Sequence, residues 1–142
     1  VKGSDPMRII IDKDDKLSKR YNVFKNLDDN GYKIINDSKY IKKQNIFQMP
    51  LVKNKFDLDD ICILMKKLKK RIVFIEGGGA TVSGFYNENK LDRLHLCISP
   101  IILGKGKSSF ITSKKNSFDG IVNHNVSYYQ MGKDILCDMN LS

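Results

Sequence analysis

The stretch with the most chemistry in it is Arg71-Ile72-Val73-Phe74-Ile75-Glu76-Gly77-Gly78-Gly79-Ala80-Thr81-Val82-Ser83-Gly84. Four apolar residues, a carboxylate, three glycines and a run of small residues fit a strand, a tight turn and the start of a helix. The continuous Ile-Val-Phe-Ile block suits a buried strand. Glycines at its end let the backbone turn sharply and leave room for a ligand that touches main-chain atoms. The helix N-terminus that follows points unpaired N–H groups and a partial positive charge at that ligand, which suits a phosphate. The same glycines would also serve a plain strand-to-helix turn.

The elements around this run can be read from periodicity. Met7 to Ile11 is predicted as a strand that closes on Asp12. Residues 13–30 are polar and turn-rich, with Val23 and Phe24 as apolar anchors. Tyr32 to Ile35 is a second short strand, Ser38 to Lys43 a single helical turn, and Asn45 to Met49 a third strand stopped by Pro50. Asp57 to Lys69 is the clearest helix: acids at its start, and Leu58, Ile61, Cys62, Leu64, Met65 and Leu68 on one apolar face. Arg71 to Ile75 is predicted as the central strand, and Gly79 to Asn87 as the second helix. Arg93 to Ser99, Ile121 to Met131 and Ile135 to Met139 complete the strands, the last two joined through Gly132-Lys133 as a hairpin. Strands alternating with helices predict an α/β three-layer (αβα) fold with a mainly parallel sheet and a C-terminal antiparallel hairpin.

Length and composition narrow the class. A chain of 142 residues is large enough for one domain with its own core, and 41% hydrophobic residues is ordinary for a globular protein. There is no apolar run of membrane-spanning length, so no membrane partner is expected. The N-terminus (Val1-Lys2-Gly3-Ser4-Asp5) has no apolar signal segment, and Val1 in place of Met fits a cut end or internal boundary. The net charge of +9 would attract polyanions. The lysines are nevertheless dispersed, except for Lys66-Lys67-Leu68-Lys69-Lys70-Arg71, which reads as a basic helix end or, alternatively, a nucleic-acid contact. No basic-aromatic alternation or finger spacing supports the latter, and no nucleic-acid partner is expected. Cys62, Cys97 and Cys137 are far apart, without Cys-x-x-Cys spacing, and His95 and His124 sit in no ligand pattern. Reduced cysteines, a cytoplasmic location and no metal follow, with Cys97 read as a core residue beside a satisfied or exposed His95.

The wider pattern carries a resemblance. About a dozen residues after the glycines comes Lys90-Leu91-Asp92-Arg93-Leu94-His95-Leu96-Cys97-Ile98-Ser99-Pro100-Ile101-Ile102-Leu103-Gly104. Upstream stands Pro6-Met7-Arg8-Ile9-Ile10-Ile11-Asp12, and downstream Gly132-Lys133-Asp134-Ile135-Leu136. Together with Glu76 to Gly84, these resemble the C-terminal reductase domain of the bifunctional riboflavin-biosynthesis deaminase/reductases. That family shows Pro-x-Arg-Ile-Val-x-Asp, then a strand with Glu-Gly-Gly, Leu-Val-Asp-Glu, and Ala-Pro-x-x-x-Gly, in this order. Nearly the whole chain is covered.

The resemblance implies a dihydrofolate-reductase-like fold. It also implies NADPH-dependent reduction of 5-amino-6-(5-phosphoribosylamino)uracil, ribose to ribityl. On this reading Gly78, Gly79, Ala80, Thr81, Val82, Ser83 and Gly84 hold the cofactor phosphates, and Glu76 contacts the phosphorylated pyrimidine substrate. A carboxylate at a strand end suits sugar hydroxyls or a pyrimidine, and equally a cap on the next turn. Lys13 and Lys16 stand where the family usually has Ser and Arg. They could meet the 2′-phosphate that separates NADPH from NADH, without the fork of Arg, or could be solvated loop lysines. No catalytic residue is singled out.

The family also implies a homodimer, with Leu94 to Ile102 as interface or core, and a zinc deaminase domain fused or paired ahead of the reductase. The deaminase motifs His-x-Glu and Pro-Cys-x-x-Cys do not occur here. Family members carry about two further strands and a helix before the Pro-x-Arg-Ile strand, with an Asp-Gly-(Arg/Lys) strand that nothing in this chain matches. The expectation is therefore a single reductase-like domain over 1–142, incomplete at its N-terminus. It is a piece of a longer reductase or a reduced relative without catalysis. Reduction of another pterin or pyrimidine, and a non-catalytic domain with a vestigial nucleotide site, are the alternatives.

Overall fold

Three short apolar strands build the first half of the molecule: β1 (Arg8–Ile11), β2 (Gly31–Asn36) and β3 (Ile46–Met49). They pair in parallel in the order β1-β2-β3, with Ile9 opposite Tyr32 and Ile34 opposite Phe47. The computed structural model describes residue 3 and residues 6–18, 20–24, 31–38, 45–108, 111 and 124–142. Of the turn expected over 38–43 only Ser38 is among these, and the strand start expected at 121–123 lies outside them.

The middle strand carries the core of this half. Ile34 is fully buried and Ile35 nearly so, joined by Met49, Phe56, Ile61 and Met65. Tyr32 and Phe47 stack across the β2–β3 pair with ring centroids 5.3 Å apart. Pro50 ends β3, and a small hairpin follows, β4 (Leu51–Val52) with β5 (Lys55–Phe56). Its two turn residues, Lys53 and Asn54, both take positive φ (49° and 63°), the conformation a two-residue primed turn requires.

Helix α1 (Leu58–Lys67) begins at Asp57, whose carboxylate accepts the N–H of Asp59 at 2.8 Å. Asp59 and Asp60 in its first turn and Lys66 and Lys67 in its last complement the helix dipole. It closes with the N–H of Lys70 on the carbonyl of Met65 and that of Lys69 on Lys66, while Lys69 takes φ 55°. That is a Schellman closure with lysine where glycine is usual. The basic cluster at 66–71 is thus in large part the closing turn of a helix.

The chain divides into two compact units, Val1–Arg71 and Ile72–Ser142. The second holds α2 (Gly79–Asn87) and three antiparallel strands, β6 (Arg93–Ile98), β7 (Asn125–Met131) and β8 (Asp134–Asn140), in the order β6-β8-β7. Helix α2 closes by the same Schellman pattern, with Asn89 at φ 54° and the Lys90 N–H on the Phe85 carbonyl. β7 and β8 meet through Gly132-Lys133, Gly132 having φ 67°, which is the hairpin that the sequence predicts. The fold is mixed α/β, with a parallel sheet and a C-terminal antiparallel sheet. Among the described residues no helix is long and apolar enough to cross a membrane.

Two expectations are corrected. Residues 72–78 form no strand: Ile72 and Phe74 are 91% and 71% exposed, and no described strand pairs with them. An apolar run supplies strand propensity, but a strand exists only when a neighbour takes up its N–H and C=O groups. Cys97 is exposed rather than core, as is every β6 residue except the half-buried Leu94; Cys137 on β8 is the buried cysteine.

Candidate functional site

The run Glu76 to Gly84 forms the approach to α2 and its first two turns. Gly78 is the N-cap, in an extended conformation (φ −71°, ψ 171°), and no side chain caps the helix there. Thr81 and Val82 donate to the Gly78 carbonyl at 3.0 and 3.3 Å, which starts the helix and leaves the earlier N–H groups outside the ladder. The three glycines have different surroundings. A Cβ on Gly77 would lie 2.8 Å from the Thr81 Cβ, so this residue is glycine for packing. A Cβ on Gly78 would meet no atom within 4 Å, so open space stands before the bare N-terminus. Gly79 is the first helical residue.

The other residues of the run divide between surface and interior. Glu76, Ala80 and Thr81 are exposed, and Val82 and Gly84 half-buried. Glu76 has no hydrogen bond to a described residue, so the capping role open to it is not taken up. Ser83 is buried, and its hydroxyl accepts the N–H of Ile111 at 2.7 Å. An anion reaching α2 would therefore find backbone N–H groups and the Thr81 hydroxyl. That donor set fits the phosphate groups of a dinucleotide.

In the first unit the carboxyl ends of β1 and β2 are tied together by a loop. Asp12 at the end of β1 is buried, and it organises that loop. Its carboxylate accepts the N–H of Lys16 at 3.0 Å and of Leu17 at 2.9 Å, plus the Lys33 ammonium at 3.0 Å. Lys33 also reaches Asp15 at 2.7 Å and lies 4.8 Å from the Phe24 ring centroid. Burial pushes the Asp12 carboxyl up, but the hydrogen bonds from Leu17, Lys33 and Lys16 outweigh it, and the net displacement is downward. Burial likewise pulls Lys33 down, and is outweighed by Asp15 and Asp12, so Lys33 holds its proton more tightly than usual.

Lys13 and Lys16 are brought together by this loop. With Asp14, Asp15, Ile35, Asn36 and Ser38 they line an open cleft of about 430 Å³ at the carboxyl end of the parallel strands. Parallel α/β sheets place ligands at that end. The cleft holds both lysines of the sequence reading; Glu76 and the glycines belong to the other unit.

A family model described as the RibD C-terminal domain matches residues 2–137. The chain belongs to that family. Solved structures agree on the fold. A RibD structure from Acinetobacter baumannii aligns with TM-score 0.75 at 17% identity over 95% of this chain. A diaminohydroxyphosphoribosylaminopyrimidine deaminase/5-amino-6-(5-phosphoribosylamino)uracil reductase from Thermotoga maritima gives 0.73 at 20% over 98%. The riboflavin biosynthesis reductase Rib7 of Saccharomyces cerevisiae gives 0.69 at 19% over 96%. The chain spans 37% and 38% of the two bacterial proteins and 70% of the yeast one. No curated protein matches it.

Within this RibD C-terminal domain two polar centres escaped the sequence reading. One is the Asp12–Lys33 pair, signalled only by a lysine in an otherwise apolar strand, which must find a partner if half-buried. The other is on the antiparallel sheet. Asp138, buried on β8, takes both Arg93 Nε and Nη2 at 2.5 Å, and lies 3.3 Å from His95 Nε2. Arg93, then its own burial and His95, act on the Asp138 carboxyl, which ends below its ordinary value. His95↔Asp138 is a register pair, and no sequence spacing exposes a cross-strand triad of this kind.

Proposed function

We propose that this chain is the reductase part of a riboflavin-pathway protein. The reaction is reduction of 5-amino-6-(5-phosphoribosylamino)uracil to its ribitylamino counterpart, with NADPH as cofactor. The observation that carries the reading is the uncapped, glycine-opened N-terminus of α2 in a chain of the RibD C-terminal family. When bound, NADPH supplies the hydride that reduces the sugar carbon.

The chain's own residues bind and orient. The backbone around Gly78, Gly79 and Ala80, with the Thr81 hydroxyl, would receive phosphate oxygens, and the helix dipole favours their charge. Val82, Ser83 and Gly84 build the turn that holds these groups in place, Ser83 through its bond to Ile111. Glu76, exposed and without a hydrogen-bond partner among the described residues, is the substrate-contacting carboxylate, an acceptor for sugar hydroxyls or the pyrimidine N–H. Lys13 and Lys16 are the cations that meet the 2′-phosphate of NADPH. A homodimer and a deaminase domain, fused or separate, are the proposed partners, and the cytoplasm the proposed location.

Turnover tests this reading. With the pyrimidine substrate, loss of reduced-nicotinamide absorbance is expected, and ribityl product by mass spectrometry. Glu76→Gln is expected to raise KM for the pyrimidine about tenfold, a charge-assisted hydrogen bond or so, with cofactor affinity unchanged. Nucleotide binding with no turnover would favour reduction of a different pterin or pyrimidine. Absence of both binding and turnover would favour a vestigial site.

A further inference from the structure

The cleft at the carboxyl ends of β1 and β2 contains two lysines, but they share a single counter-ion. Asp14 stands between them: Lys13 Nζ lies 3.0 Å from Asp14 Oδ1, and Lys16 Nζ 3.1 Å from Asp14 Oδ2. Lys13 is held further by Asn54 Oδ1 at 3.1 Å. The second acid of the cleft, Asp15, is committed to Lys33. One carboxylate thus serves as the shared counter-ion of both cleft lysines. Lys13, then Lys16, hold the Asp14 carboxyl below its ordinary value, so it stays ionised at neutral pH.

We propose that Asp14 is a specificity-determining residue that lowers the preference of this cleft for a 2′-phosphorylated nucleotide. A ribose 2′-phosphate approaching Lys13 or Lys16 meets a carboxylate already seated on both ammonium groups, and like charges at that range repel. A ribose 2′-hydroxyl meets no such opposition and can donate to the same carboxylate, the interaction by which acidic residues in α/β folds accept an unphosphorylated ribose. The consequence is a cleft that still meets the 2′-phosphate of NADPH through its lysines, but prefers NADPH over NADH by less than two unopposed lysines would give. The proposal rests on the nucleotide-dependent reading above and names the residue that tunes it.

Asp14→Asn tests this. It keeps size and a carbonyl acceptor, removes the charge, and touches a side chain whose only partners among the described residues are the two lysines. The probes are 2′,5′-ADP and 5′-AMP, titrated calorimetrically into both proteins, with NADPH and NADH alongside. Exposed ion pairs are weak and screened, so the expected gain in the 2′,5′-ADP to 5′-AMP affinity ratio is about tenfold, shrinking with added salt. Adding Lys16→Gln to the variant is expected to reverse most of that gain. An unchanged ratio would overturn the assignment of Asp14, and if NADPH still binds both proteins the reductase reading stands. No binding of any of the four nucleotides would overturn both.

Discussion

Removal of the Asp12 carboxylate should undo the loop that follows β1, and the structure sets the size of the effect. Asp12→Ala takes away the acceptor for the Lys16 and Leu17 amides and for Lys33. Hydrogen bonds to a charged group contribute about 1.5–3 kcal/mol each. The Lys33 bond should cost less than that, because Lys33 keeps Asp15 at 2.7 Å as a second anion. Taking the lower figure for each amide, and little for Lys33, the loss is about 3 kcal/mol. Asp12→Asn keeps one acceptor oxygen and should lose about half as much. The chain has no Trp, so urea unfolding is best followed by far-ultraviolet circular dichroism. A loss below about 1 kcal/mol for Asp12→Ala would refute the reasoning, since it would mean the two amides find water as good a partner. The same variant should show faster hydrogen exchange at Lys16 and Leu17 than at Ile34, which marks the effect as local.

Two further outcomes follow from packing and charge. Gly77→Ala is expected to cost about 1–2 kcal/mol, because its Cβ would collide with the Cβ of Thr81, and a Thr Cβ on a helix cannot swing away; a neutral effect in urea would contradict this. Asp12 and Asp138 both ionise below their ordinary 3.8, so the unfolded chain binds more protons between the folded and unfolded values. Their stabilisation is therefore complete above the ordinary carboxylate range and is lost as pH falls through the folded pKa. Arg93→Met should destabilise at neutral pH and converge with the unaltered protein in acid; a gap that persists at low pH would show that Arg93 acts by packing instead.

Much of this architecture is legible without coordinates where it is local. Asp57, the acids after it and the apolar stripe through Met65 specify α1, and Gly132-Lys133 specifies the last hairpin. Both helix ends were harder, because Lys69 and Asn89 occupy the left-handed position that glycine usually marks. The β4–β5 hairpin was missed since its strands have two residues each, too short for any alternation to register. Arg71–Ile75 failed for the opposite reason: its composition is that of a strand, yet pairing is a property of the neighbour. At the site, the glycines advertised a bare helix N-terminus. Nothing in the sequence separates Gly77, which packs on Thr81, from Gly78, which faces open space. Asp12 reads only as the end of a strand, and no spacing signals that its carboxylate accepts the Lys16 and Leu17 amides and the ammonium of Lys33 from the neighbouring strand.

Whether the α2 N-terminus holds the cofactor is decided by calorimetric titration of NADPH into the unaltered chain and into Gly78→Val. Gly78 has room for a side chain, and its φ and ψ are open to valine, so the fold should survive at a cost of about 1 kcal/mol for the poorer N-cap. Saturable binding is expected for the unaltered protein and at least a tenfold loss for the variant, from valine methyls standing where phosphate oxygens approach. Equal affinity in the two proteins would contradict the claim that the α2 N-terminus holds the cofactor.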